Sequence, residues 1–133
     1  MKEELLMRAQ ALQNESQEVE NNIKIINEHV EELTKFKENL DFLSKSGEKD
    51  ILASLGRGVY VKSKIADDKK LFVEIGAGII VKKTPQETKK VIEEQLRKFG
   101  EAKLQLKTQL ELYANEFRKM VKQLNEIKED EED

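Results

Sequence analysis

The feature that most constrains this chain is a seven-residue apolar repeat that runs twice, once toward each end. In the first run Leu5, Leu12, Val19, Ile26, Leu33 and Leu40 recur at sevens and take heptad position d. Position a then holds Ala9, Ser16, Ile23, Val30 and Lys37. In the second run Ile92, Phe99, Leu106, Tyr113, Met120 and Ile127 take position d, with Leu96, Lys103, Leu110, Phe117 and Leu124 at a. Such a repeat keeps a narrow apolar stripe on one side of a long helix, and a partner helix is what covers it. At the end of the first run Phe36 and Leu43 join Leu33 and Leu40, which reads as a local stutter where the helix meets other structure.

The two runs divide the chain into three parts, and the fold class is α+β. Residues 2–45 form the N-terminal coiled-coil helix, 50–83 a β insert, and 84–128 the C-terminal coiled-coil helix. Thr84-Pro85-Gln86-Glu87 marks the start of that second helix. Thr84 can cap it, Pro85 suits the first helical position, and Glu87 completes a capping box. Residues 129–133 are an acidic tail, expected to be a frayed, solvated end. Each helix has ~43 residues and is ~65 Å long at 1.5 Å per residue. Helices of equal length joined by an insert predict an antiparallel pair. Leu40 and Leu43 should then lie near Ile92, and Leu5 and Leu12 near Leu124 and Met120. Gly100 reads as a tolerated interior glycine.

The insert changes character: isoleucine and valine rise, and apolar residues alternate or run together. Four short strands are predicted, at 51–55, 59–65, 71–75 and 79–82, with a polar turn at 66–69 between the second and third. The insert also repeats internally. Leu55-Gly56-Arg57-Gly58-Val59-Tyr60-Val61-Lys62 matches Ile75-Gly76-Ala77-Gly78-Ile79-Ile80-Val81-Lys82. Each half is strand, Gly-x-Gly, strand. Gly56, Gly58, Gly76 and Gly78 are thus placed at tight reversals or bulges. Leu71, Val73 and Ile75 share one strand face, while Phe72 and Ile80 serve the other. An insert this short cannot bury both faces. The strands carrying Ile51, Leu55, Val59, Val61, Leu71, Val73, Ile75, Ile79 and Val81 are therefore expected to mediate oligomerisation, closing a barrel or sandwich with other chains.

Several functions fall outside this pattern. Charged residues match apolar ones at 38% each, with 5% aromatics, which suits solvated helices rather than a thick globular core. The net charge of −3 argues against a general nucleic-acid binder. No apolar stretch approaches the ~20 residues that span a membrane. Met1-Lys2-Glu3-Glu4 lacks the basic start of an export signal, so a cytoplasmic location is expected. Strands, not helices, follow the Gly-x-Gly motifs, and the third glycine of a dinucleotide fingerprint is missing. His29 is the lone histidine and there is no cysteine, so no zinc site is expected. The acids are spread over helix surfaces, with no cleft for a catalytic pair. Neither enzyme activity nor a cofactor is expected.

The order helix, double Gly-x-Gly ribbon, helix resembles the α class of prefoldin subunits, of the archaeal type. Val73-Glu74-Ile75-Gly76-Ala77-Gly78-Ile79-Ile80-Val81-Lys82-Lys83-Thr84 is similar to that family's "V-x-V-G-A-G-(apolar)-x-V-(E/K)-K-T" segment. Residues 51–61 are similar to its "I-L-V-P-L-G-x-G-x-F-V". Ala53, Ser54 and Arg57 depart from it, standing where the family has Val, often Pro, and a small residue. The resemblance implies a hexamer of two α and four β subunits, whose strands close a double β-barrel carrying coiled-coil arms. It implies that the arm ends hold unfolded client proteins and pass them to a group II chaperonin without nucleotide hydrolysis. Leu5, Leu6, Met7, Met120, Val121, Leu124 and Ile127 are the candidate client-binding residues. They are more apolar residues than a two-helix seam can cover there, and methionine adapts to varied shapes. Two other classes stay open: an α-like subunit assembling with itself into rings or filaments, and a coiled-coil tether for one fixed partner.

Overall fold

The protein is described from a computed structural model covering residues 1–45, 50–65 and 70–132. Its elements are α1 (Lys2–Ser44), β1 (Asp50–Gly56), β2 (Val59–Lys64), β3 (Leu71–Gly76), β4 (Ile79–Lys83) and α2 (Pro85–Glu132). The turn predicted at 66–69 lies outside the described residues. The second helix continues past residue 128 and takes in most of the acidic tail, up to Glu132. Glutamate is a good helix former, and it extends a helix already nucleated along a long seam. The chain divides into two compact units, residues 1–30 with 97–133, and residues 31–96.

The first unit is a helix pair. Every a and d position of α1 from Leu5 to Val30 is buried or half-buried, and its other residues are exposed. Leu5, Leu12 and Met120 form a core, with Ala9, Tyr113, Leu124 and Ile127 packed against it. Residues early in α1 thus meet residues late in α2, as an antiparallel register requires. The His29 ring stacks on Phe99, with centroids 5.5 Å apart and planes 9° from parallel. Phe117 departs from the pattern: it holds an a position, yet it is 40% exposed.

In the second unit the seam passes through Leu33, Lys37 and Leu40 toward Ile92. Leu40 and Ile92 are almost fully buried. Leu43 is half-buried, but Phe36 is exposed and does not join the seam, contrary to the predicted stutter. Lys37 holds the place instead. Its apolar stem can cover the seam while its Nζ lies 3.4 Å from Glu93. The start of α2 is capped by Thr84, whose Oγ1 accepts the Glu87 N–H at 3.1 Å. Thr88, itself buried, donates its hydroxyl to the Thr84 carbonyl at 3.0 Å.

The insert forms two separate antiparallel hairpins, β1–β2 and β3–β4. Their registers repeat: Leu52 faces Lys62 and Ala53 faces Val61 in the first, as Phe72 faces Lys82 and Val73 faces Val81 in the second. Each register shifts just before the turn, between Ser54 and Gly56 and between Glu74 and Gly76. Leu55 and Ile75 are the extra residues of these bulges. The bulge breaks the alternation that placed Ile75 with Leu71 and Val73: those two are half-buried, whereas Ile75 is exposed.

Candidate functional site

Backbone conformation fixes the hairpin turns. Arg57 and Gly58 have φ of 51° and 79°, and Ala77 and Gly78 have 52° and 74°. Positive φ at both central residues is what a two-residue turn of the primed kind needs to match strand twist. Gly56 and Gly76, just before, also lie at positive φ. Arg57 and Ala77 carry a side chain where glycine is favoured, a cost of about 1 kcal/mol each. Ser54 acts locally, since its Oγ accepts the Gly56 N–H at 3.3 Å and ties down the bulge. A proline there could not make that bond.

These turns hold two apolar faces open. Ile51, Ala53, Leu71, Val73 and Val81 are half-buried or close to it on one face, Val81 alongside its cross-strand partner Val73. On the other, Leu52, Tyr60, Phe72 and Ile80 are each 59–69% exposed. Leu55, Val59, Val61, Ile75 and Ile79 are exposed as well. The Lys82 ammonium lies 5.6 Å from the Phe72 ring centre, a cation–π contact on this open face. Leu52 and Tyr60 hold the equivalent face of the first hairpin, although the odd-numbered apolar pattern of the strands passes over them. The internal repeat is the signal that finds them, since they correspond to Phe72 and Ile80.

The second candidate surface is the end of the helix pair. The structure sorts the seven client-binding candidates into two sets. Leu5 and Met120 are buried in the seam, and Leu124 and Ile127 are half-buried against them. Leu6, Met7 and Val121 are exposed, at 51%, 73% and 41%. The second set is what a passing chain would meet with the helices closed.

Charge pairs stitch the helices. Arg8 Nη2 donates to Glu116 Oε1 at 2.9 Å. Lys89 Nζ lies 2.8 Å from Asp41 Oδ1. The hydrogen bond from Lys89 holds the Asp41 carboxyl below its ordinary value, and the same bond raises Lys89. No cluster of metal-ligating side chains is found among the described residues, and no helix there is long and apolar enough to cross a membrane.

Two long helices with a closed seam, joined by two β-ribbons with open apolar faces, define a coiled-coil chain of the helix–ribbon–helix class. A family model described as "Prefoldin subunit" matches residues 12–130, and the chain belongs to the prefoldin family. No curated protein matches it. Among solved structures, the cryo-EM structure of filamentous PFD from Methanocaldococcus jannaschii is similar, with a TM-score of 0.71 and 20% identity. The match covers 91% of this chain and 98% of that one, and it shows a shared fold.

Proposed function

We propose that this chain is an α-class prefoldin subunit, a non-enzymatic chaperone component that acts without ATP. In this reading its four strands close a β-barrel with partner chains, two α and four β subunits in all. The exposed Leu6, Met7 and Val121 side chains hold unfolded proteins for delivery to a group II chaperonin. The single observation that carries the reading is that both ribbons of a prefoldin-family chain have an open apolar face, with Leu52 and Tyr60 on the first and Phe72 and Ile80 on the second. Burying apolar surface yields ~25 cal/mol per Å², so two ribbons open on both faces favour association. Two ribbons instead of one support the α class. Client contacts that are individually weak would add across several arms. A cytoplasmic location accords with this role.

A second reading has one observation in its favour. The similar archaeal structure is described as filamentous. A chain with this fold can therefore be proposed to assemble with copies of itself as a structural protein.

Gel filtration with light scattering separates the two, using the chain alone and mixed with a β-class subunit of the same source. A discrete hexamer only in the mixture, together with suppressed aggregation of a chemically denatured protein, is the expected result. Large assemblies that ignore the β-class subunit, without suppression, would overturn the chaperone reading in favour of the second.

A further inference from the structure

The two faces of each ribbon differ in charge. In the first hairpin Asp50 faces Lys64, Leu52 faces Lys62 and Ser54 faces Tyr60 on one side. Ile51 faces Ser63 and Ala53 faces Val61 on the other. Every charged residue of these two strands thus shares the face of Leu52 and Tyr60. The second hairpin repeats the arrangement, with Lys82 opposite Phe72 and Glu74 opposite Ile80. Only Lys83, at the strand end, lies on the face of Val73 and Val81. A barrel interior takes uncharged side chains, since an unpaired charge there is very costly. Barrel closure therefore uses the faces of Ala53, Val61, Val73 and Val81. The faces of Leu52, Tyr60, Phe72 and Ile80 remain outside the barrel and still need cover. Lys62, Lys64 and Lys82 form no ion pair with a described residue.

The end of the helix pair carries the opposite charge. Glu3, Glu4, Glu126, Glu129 and Asp130 are exposed there, against Lys2 and Lys128, and the sequence runs on as Glu131-Glu132-Asp133. Leu6 and Met7 are exposed beside them. The chain thus has two kinds of surface that each mix uncovered apolar side chains with charge, and the charges are of opposite sign. Their spacing also agrees. Lys62 and Lys64 are two residues apart on a strand, or ~7 Å. Glu126 and Asp130 are four apart on a helix, with Cβ atoms ~5–6 Å apart.

We propose that the acidic end of the helix pair of a second copy docks on the lysine-bearing ribbon faces, so that assembled molecules join head to tail. The proposal rests on the barrel assembly described under the proposed function and adds a contact between assemblies. Charge selects the occupant: the lysines call for acids, Leu52 and Phe72 call for apolar neighbours, and the helix end supplies both. A nucleic acid would supply the charge, but the chain as a whole is at −3 and would repel it. The two contacting surfaces differ, so the contact is heterologous and does not close on itself. The end of one helix pair is a small contact, in the weak class below ~1,200 Å², and gains strength when several arms engage together. On the chaperone reading, joining covers Leu6 and Met7 and gives a resting form.

The test follows the mass of the assembled protein, with its partner subunits, by light scattering over a range of concentrations. At low salt the mass should rise with concentration beyond a single assembly, and at high salt it should return to one. Lys62→Glu combined with Lys82→Glu should raise the midpoint concentration for joining at least about tenfold, because like charges then meet. Glu126→Lys combined with Asp130→Lys should do the same, and it carries the test if the ribbon variant fails to assemble. Mixing the two charge-reversed proteins should restore joining, since the reversed ribbon then meets the reversed end. No mass above a single assembly overturns the proposal and leaves the chaperone reading intact. Joining that ignores salt and both reversals overturns it, as does salt-sensitive association independent of concentration. Joining lost in the ribbon variant but kept in the helix-end variant gives the ribbons another acidic occupant and overturns it. Joining seen only with added oligouridylate makes that occupant a nucleic acid, with the same consequence. Failure to assemble with the partner subunits at all overturns the reading beneath it.

Discussion

The helices and the ribbons of this chain treat apolar surface in opposite ways. Along the helices, the chain covers its own stripe: the a and d residues of α1 from Leu5 to Leu40 are buried or half-buried by the same molecule. Along the ribbons, Leu52, Tyr60, Phe72 and Ile80 stay open although the hairpins are fully paired within themselves. The reason is geometric. A helix has one apolar stripe, and one antiparallel partner closes it. A two-stranded ribbon has two faces and two free edges, and its own partner strand closes neither face. The helices can thus be stable within one chain, while the ribbons need other chains to hide what they expose.

The sharpest way to break this contrast is to charge a ribbon. Val73→Asp puts a carboxylate on a face that assembly would desolvate, where an unpaired charge is very costly. We expect light scattering to show loss of assembly, while circular dichroism at 222 nm keeps its helical signal. Loss of both signals together would mean that the helices depend on the ribbons. The complementary change is Leu40→Ala in the seam. Leu40 is 1% exposed, and such truncations cost about 2–5 kcal/mol. The helical melting transition should fall markedly, with assembly retained below it.

Smaller effects test the turns and the helix interior. Gly76 has φ of +121°, so Gly76→Val should strain the hairpin by about 1–3 kcal/mol and weaken assembly on dilution. Ala77→Gly should act the opposite way. Gly100 is helical with open space where a Cβ would sit, so Gly100→Ala should stabilise the pair by about 1 kcal/mol in thermal melts.

The smallest effect concerns Asp41 and Lys89. Because Asp41 is lowered in the folded state, its contribution is full above the unfolded aspartate value of ~3.9 and is lost as pH falls through the folded value. Because Lys89 is raised, its contribution is full below the unfolded lysine value of ~10.4 and is lost as pH rises through the folded value. Asp41→Asn should flatten both limbs of a melting-point profile and change little near neutrality, since the pair is exposed. An unchanged acid limb would show that other carboxylates set it.

Periodicity made most of the fold readable. Sevens placed the two helices, and Thr84-Pro85 fixed the start of the second, where Thr84 indeed caps. Alternation and the repeated Gly-x-Gly located the strands to within a residue or so. Three features escaped. Phe36 looked like seam because it is aromatic and close to phase, but the rhythm runs through Lys37, whose stem suffices. Ile75 looked like a member of the Leu71–Val73 face, but a bulge displaced it. Phe117 looked like core, yet it lines an opening. Each depends on a small shift in space, or on one residue of register, that a pattern of apolar letters does not record.

Which residues are helical, which are strand, and which heptad positions face a partner were all written in the chain's own spacing. Periods of 3.5 and 2 residues cannot be satisfied by the same backbone, so local order settles them. Which apolar residues stay uncovered was settled only by packing, because exposure depends on the neighbour across the seam or the strand. Leu5 and Leu6 are adjacent and identical in type, yet one is buried and the other half in solvent. Ser16 and Phe117 are ordinary letters in a heptad until the opposing helix arrives. The size of what faces them then leaves a cavity instead of a core.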